Sequence, residues 1–435
     1  MDSRTQRSGM SRIGRFGRAL VLIAAASTAL AACAGPSESG SDAGEVGTVE
    51  FPNWMWSAPD NAPFWQAMKA GFEEEHAGAT LTDDVIPGGE YQDKMFTLLS
   101  SGNPPDLVTP FDPTLRAWMG AGLLEPLDPW LEEAGYDLDS FIPANQMAKG
   151  EDGKIYGVIL VSNPRVMFVN KRLLEEHGLD IPTTPEEVRE VSEQLHAADP
   201  GLYGFATMSA SAAAFPTYGE LVPIVKSFGG DFVRDGEAVA NSEETVEALE
   251  WIKAMHDDGL IPTGQTELVY REAFAQGKIA SLVVGSFIMA IIAEKNPDAL
   301  DDFIAVPLPF GTERTSSANG FLAIPKDAKN KEGAAKVVLQ LLQDEWQRKL
   351  VEMSAQTPAR PGMTPEEYVA ENPWFQTVVD AVPNAESVAP SGVEELAPSV
   401  QDAVTRHYQE LLFTDASAQD VADRLQDELT QILAN

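Results

Sequence analysis

Two tryptophans two residues apart, Trp54 and Trp56, stand in a loop with Asn53, Ser57, Asp60 and Asn61. Flat aromatic faces beside amide, hydroxyl and carboxylate groups suit non-covalent recognition, in which rings stack and polar groups hydrogen-bond. The pairing recurs downstream: Phe111 with Asp112, Tyr218 with Glu220 in the aromatic, non-periodic run from Ser209, and Phe287 after Gly285 and Ser286. A second role stays open for each of these rings. Trp is highly buried on average, so Trp54 and Trp56 could instead pack between a strand and a helix, and Phe287 could belong to the core.

Groups for bond-breaking chemistry show no comparable arrangement. His76, His177, His196, His256 and His407 are scattered, without HExxH spacing, and Cys33 is the only cysteine. Neither a Gly-rich phosphate loop nor a G-x-S-x-G elbow occurs, so no metal, no cofactor and no enzymatic activity are expected. Neighbouring acids such as Glu132-Glu133 and Asp301-Asp302 carry no weight as a glycosidase pair, because 67 Asp and Glu residues supply such pairs everywhere. The formal charge of −37 excludes nucleic acid as a partner, since neutralising phosphates takes clustered Lys and Arg. It equally argues against electrostatic attraction to anionic lipids.

The elements that must position these groups alternate. A strand Thr48–Phe51, a helix carrying Phe64, Met68 and Phe72, a strand Ala79–Val85, a helix Tyr91–Leu99 and a strand Asp106–Thr109 read as β-α-β-α-β. That order predicts a mainly parallel sheet flanked by helices. The tryptophan loop and Phe111-Asp112 follow the carboxyl ends of strands, where open α/β sheets form their pockets. A chain of 435 residues exceeds the ~250–300 residues over which one core keeps growing, so two lobes are expected.

Between them, Asp152–Lys171 holds two apolar runs interrupted by Ser162, Asn163 and Pro164. Proline cannot donate within a central ladder, so the stretch reads either as a strand that leaves one sheet and enters another, or as a plain loop within one domain. Further on, Thr184 with Glu187 and Asn241 with Glu244 read as helix caps, Pro185 as a first helical residue, and Ala280–Val284 as a strand. A strand Phe321–Ile324 is closed by Pro325, and helices with Leu341, Trp346 and Leu350 follow.

The chain opens with an address. Arg4, Arg7, Arg12, Arg15 and Arg18 precede the apolar run Ala19–Ala32, which is too short and Ala-rich for a stable span. With no twin-arginine pair, a general secretion route is expected. Leu30-Ala31-Ala32-Cys33 resembles the lipobox of bacterial lipoproteins, in which the cysteine is acylated and becomes the mature N-terminus; secretion with cleavage nearby is the alternative. Residues 1–32 are thus expected to be a signal peptide and 33–47 a lipid-anchored flexible linker, its Ala34–Gly47 stretch being small and polar.

The run NGFLAIPKDAKNKEGAAKVVLQLLQDEWQRKLVE resembles the signature region of the family 1 extracellular solute-binding proteins, the maltose-binding-protein-like receptors of ABC sugar importers. YQDKMFTLLSSGNPPDLV, DGKIYGVILVSNPRVMFVNKRLLEEHGLDIPTTPEEV, KSFGGDF and FAQGKIASLVVGSF match the same family in the same order, from about Thr48 to the C-terminus. The resemblance implies an α/β, two-lobed periplasmic-binding-protein type II fold, with 48–161 and 318–360 as lobe 1, 162–317 and 361–435 as lobe 2, and the ligand cleft at the hinge. Crossings fall at Ile159–Val166, Phe310–Asn319 and Thr357–Pro361.

A sugar presents apolar C–H faces and a rim of hydroxyls, so its site needs aromatic plates and planar polar groups. Trp54, Trp56, Phe111, Tyr218 and Phe287 are the expected plates; Asp60, Asp112, Asn163, Glu220, Asn319 and Arg360 are the expected polar contacts. Members of the family often carry Trp where Phe287 stands. The implied partners are a small sugar, the transmembrane subunits of an ABC permease, and the membrane through a lipid on Cys33, with the chain itself a monomer outside the cytoplasm. A binding lipoprotein for a non-sugar solute or a sensor is the alternative, and a secreted carbohydrate-active enzyme a more distant one.

Overall fold

The computed structural model describes residues 46–58, 61–137, 140–209 and 214–434, so the export segment 1–32, Cys33 and Asp60 lie outside the described residues. Its strands are β1 (Thr48–Val49), β2 (Thr80–Leu81), β3 (Val158–Pro164), β4 (Val166–Asn170), β5 (Tyr203–Ala206), β6 (Val233–Arg234), β7 (Glu237–Ala238), β8 (Ile279–Val284), β9 (Phe303–Val306), β10 (Thr315–Leu322) and β11 (Ala385–Ser387). They form sheets in the orders β1-β2, β11-β10-β3, β5-β8-β4-β9 and β6-β7.

Pairing is mixed, not mainly parallel as the element order predicts. β1-β2, β10-β11 and β5-β8 are parallel, whereas β3-β10, β4-β8, β4-β9 and β6-β7 are antiparallel. The cause lies in the crossings, because β10 returns alongside β3 and β4 enters its sheet against both neighbours. The early strands are also shorter than expected, and Asp106–Thr109 contributes only an isolated bridge, Val108 to Ala323. There side chains replace ladder bonds: Glu50 N–H donates to Asp106 Oδ2 at 2.9 Å and Phe51 N–H to Thr82 Oγ1 at 3.0 Å.

At Pro164 the chain changes sheet. Pro164 pairs with Ser317 at the end of β3, an edge strand, where a missing N–H interrupts no central ladder. One residue later the chain becomes β4, interior to the four-stranded sheet between β8 and β9. The long apolar run follows from burial on both faces. Met167 and Val169 pack into one hydrophobic core while Val166 and Phe168 pack into another on the opposite face, and β8 divides the same way, Ala280 and Val283 against Leu282 and Val284. A separate core gathers Val46–Val161 with Phe321–Leu350, so β10 runs from Ala318, against the second core, to Phe321 and Leu322 in the first.

Thr184 caps the helix Pro185–Ala198, its hydroxyl accepting from Glu187 N–H at 3.2 Å, while the Glu187 carboxylate accepts from Thr183 N–H at 2.7 Å. For the helix Glu243–Asp257 the cap is Ser242, not Asn241; the Asn241 amide donates to Asp423 instead. The run after Ser209 also departs from its reading as a loop, since Ala214–Ser227 is helical. Pro216, Gly219 and Pro223 hide that helix from propensity, and burial against the second core stabilises it. No described helix is long and apolar enough to cross a membrane.

Helix Pro185–Ala198 lies directly on β5. A Cβ at Gly204 would meet Ser192 Cα at 2.5 Å and Ser192 N at 2.6 Å, which are backbone atoms that cannot swing away. Gly204→Ala is therefore expected to cost about 1–3 kcal/mol through overpacking, read as a lowered urea midpoint at unchanged slope. A midpoint equal to that of the parent chain would refute this packing.

Candidate ligand-binding cleft

A cavity of about 260 Å³ opens where the strand crossings meet the two ends of the fold. Phe111 faces it from the side of the first core, and Asn163 and Arg165 border it from the β3–β4 crossing. Ser316 and Ala318 come from β10, and Phe215, Gly219 and Glu220 from the helix Ala214–Ser227. Arg271, from the helix Glu267–Ala275, and Phe287, just past β8, complete the lining. A larger depression, about 750 Å³, offers one ring, Tyr156, with Glu151, Asp152, Glu394 and Glu395 around Arg116. The smaller cavity is lined by three rings, Phe111, Phe215 and Phe287, so it is the candidate site.

The polar groups of the cleft are organised around Phe287. Arg165 Cζ stands 5.5 Å and Arg271 Cζ 5.0 Å from its ring centroid, so two cations flank one ring. Glu220, only 5% exposed, accepts from Arg271 Nη2 at 2.6 Å and from the Tyr270 hydroxyl at 2.7 Å. Burial by itself would lower the Arg271 guanidinium, but Glu220 and Tyr270 outweigh it and the net shift is upward. For Arg165 burial prevails and the shift is downward. Gly285 makes room for that side chain: a Cβ there would lie 2.7 Å from Arg165 Nη1 and 3.2 Å from Asn163 Cβ. The Asn163 side-chain oxygen accepts from the Ser286 hydroxyl at 3.4 Å.

Of the residues singled out by sequence, the structure brings Phe111, Asn163, Glu220 and Phe287 together around this cavity. Trp54 does not border it; half-buried, it stacks on Phe111 at 5.5 Å and 25° and meets Tyr91 edge-on, so it backs a plate. Trp56 is a core residue, its indole N–H donating to Phe51 O at 2.7 Å and its ring packed against Phe51 and Trp65. Tyr218 is also core, 1% exposed and tilted against Phe232. Its phenol pKa is pushed upward by burial.

Asp112, next to Phe111 in the chain, and Asn319, on β10, are both fully buried and bonded to each other, and neither borders this cavity. Arg360 is turned elsewhere: it donates to Leu342 O at 2.9 Å, pairs with Asp344 and lies over Tyr136, bordering a different depression near Pro358. Sequence reasoning missed Arg165, Arg271 and Phe215. Arg165 had a signal, being a lone charge inside the apolar run VILVSNPRVMFVN. Phe215 lay in the singled-out run, but a segment read as a loop has no faces to assign. As a helix, it puts Phe215 and Gly219 on the cleft side and Tyr218, Leu221 and Val225 in the core.

Comparison with known proteins agrees with this architecture. A profile of the bacterial extracellular solute-binding proteins matches residues 56–348. A binding protein of Brucella abortus is 27% identical over 380 residues, covering 85% of this chain and 90% of that one. An arabinooligosaccharide-binding protein of Bacillus subtilis is 24% identical over 331 residues, covering 72% of each chain. Among solved structures, the GacH receptor of Streptomyces glaucescens, studied unliganded and with acarbose, superposes with a TM-score of 0.78 at 22% identity, covering 89% of this chain and 99% of that one. The two-lobed type II binding-protein fold, and a family match spanning most of the globular part, lead to one assignment: the chain belongs to the bacterial extracellular solute-binding proteins.

Proposed function

We propose that this chain captures a sugar or oligosaccharide outside the cytoplasm and delivers it to the transmembrane subunits of an ABC permease. The lobes would be 48–161 with 318–360 and 162–317 with 361–435, closing over the ligand by hinge motion at the crossings. A lipid on Cys33 would hold the chain at the membrane. One observation carries this reading: a cavity of about 260 Å³ that is lined by the rings of Phe111 and Phe287 together with Asn163, Glu220 and Arg271. Rings supply faces for sugar C–H groups, and the amide, carboxylate and guanidinium supply fixed hydrogen-bond partners for hydroxyls. The arabinooligosaccharide-binding relative supports the same class of ligand. Glu220 is held in place by Tyr270 and Arg271, so its carboxylate oxygens are fixed acceptors at the cavity edge.

The test is a thermal-shift screen of arabino-, malto- and chito-oligosaccharides, followed by calorimetry on each hit. Phe111→Ala and Phe287→Ala are each expected to weaken the hit by about 10- to 100-fold, the range of a truncated aromatic anchor. Phe96→Ala, whose ring is exposed away from the cleft, should leave affinity unchanged. Full affinity in both cleft variants, or hydrolysis of the bound sugar, would overturn the proposal.

A further inference from the structure

Among the described residues no carboxylate forms an ion pair with the Arg165 side chain. Its side chain is 9% exposed, and its Nη1 has no hydrogen-bond partner among the described residues. Glu220 is the carboxylate whose charge reaches it, but Glu220 is taken by Arg271 and Tyr270. The backbone holds Arg165 in place, its N–H donating to Ser316 O at 2.9 Å and its O accepting from Thr315 Oγ1 at 2.7 Å. Its guanidinium lies against Gly285 and the Phe287 ring, on the cleft wall. A buried cation without a counter-ion is unfavourable, and the cation–π contact with Phe287 offsets only part of that. An anion entering from the cleft would supply the rest.

We propose that the ligand of this cleft carries an anionic oxygen group, a carboxylate or a phosphate, received by Arg165 with Arg271 beside it. The inference deepens the sugar-capture reading and rests on it for the polyol part of the ligand, which becomes an acidic sugar or a sugar phosphate. A guanidinium fork matches both groups through paired N–H donors. Two features oppose an anion: Glu267, which borders the same cavity, and the overall charge of −37. The distant charges are screened within about 8 Å at physiological salt, whereas a contact inside a closed cleft is not.

The experiment is calorimetry on the full chain with matched pairs: hexuronates, aldonates and hexose 6-phosphates, each against its neutral parent sugar. The acidic member of at least one pair is expected to bind tighter by about 10- to 100-fold, the range for a hydrogen bond to a charged group, and the tighter class identifies carboxylate or phosphate. Arg165→Met should abolish that preference while the empty protein melts at the same or a higher temperature, because an unpaired buried charge has been removed. Equal affinity within every pair, or a preference that survives Arg165→Met, overturns the inference. Neutral sugars that bind while their acids do not overturn it too, and leave sugar capture standing. If no sugar of either kind binds, both readings fall.

Discussion

Replacing Lys226 by methionine is expected to destabilise the chain by roughly 3–5 kcal/mol, the loss typical when one partner of a buried ion pair is removed. Lys226, 3% exposed, sits near the end of the helix Ala214–Ser227, with its ammonium 2.6 Å from Asp231 Oδ2 and 2.6 Å from Glu386 Oε2. Asp231 is equally buried, and without Lys226 it keeps Arg314, at 3.3 Å, as its ion-pair partner among the described residues, with the Phe232 N–H donating to its other oxygen at 3.0 Å. Burial would raise the Glu386 carboxyl, but Arg314 and Lys226 overcome it and hold the pKa at about 2. The network ties the helix that carries Phe215 and Glu220 to β11, beside the β10 crossing, so its loss loosens one wall of the cleft. Urea denaturation is the measurement. Lys226→Met with Asp231→Asn should recover much of the loss, since no charge is then left unpaired. A single variant within about 1 kcal/mol of the parent would show that the pair is not buried as described.

Stability should also change with pH through Asp112. Burial raises its carboxyl to about 7, against the lowering influence of the Asn319 hydrogen bonds. The unfolded group titrates near ~3.9, so between about pH 4 and pH 7 the folded chain binds more protons, and stability falls as pH rises through that window. Three pH units correspond to on the order of 4 kcal/mol lost from pH 4 to above pH 7. Asp112→Asn keeps the shape and removes the titration. Its stability relative to the parent should therefore grow from pH 4 to pH 7 and then level off, as measured by urea midpoints across the range. Parallel pH profiles for the two chains would mean that Asp112 stays ionised despite its burial. The same substitution tests the bonding to Asn319, because the Asn319 N–H and amide both donate to the Asp112 carboxylate.

Legibility differed sharply between elements. Thr184 announced its helix because capping is local: a hydroxyl three residues before a Glu fixes the geometry without help from the rest of the chain. The helix Ala214–Ser227 stayed hidden because Pro216, Gly219 and Pro223 argue against a helix locally, and only packing on Phe232 and the other core residues outweighs them. The short β1 and β2 were overestimated because Thr82 and Asp106 side chains accept bonds that a ladder would otherwise take.

The sequence by itself determined a break at Ser162–Pro164, because a residue without an N–H must sit at an edge or a break wherever the chain folds. It left a change of sheet and a plain loop both open until the family resemblance and then the pairing of β3 and β4 decided for the change of sheet. The sequence also determined β4 and β8 as strands and the family to which the chain belongs, while their burial on both faces came from the structure. Only the tertiary structure decided which aromatic groups face the cleft. Trp54, Trp56 and Phe111 look alike in sequence, yet one backs a plate, one fills the core and one borders the cavity. Local rules fix backbone conformation, but the surroundings of a side chain depend on residues far away in sequence. Arg165, Arg271 and Phe287 come from three separate elements, and their meeting around one ring exists only after folding.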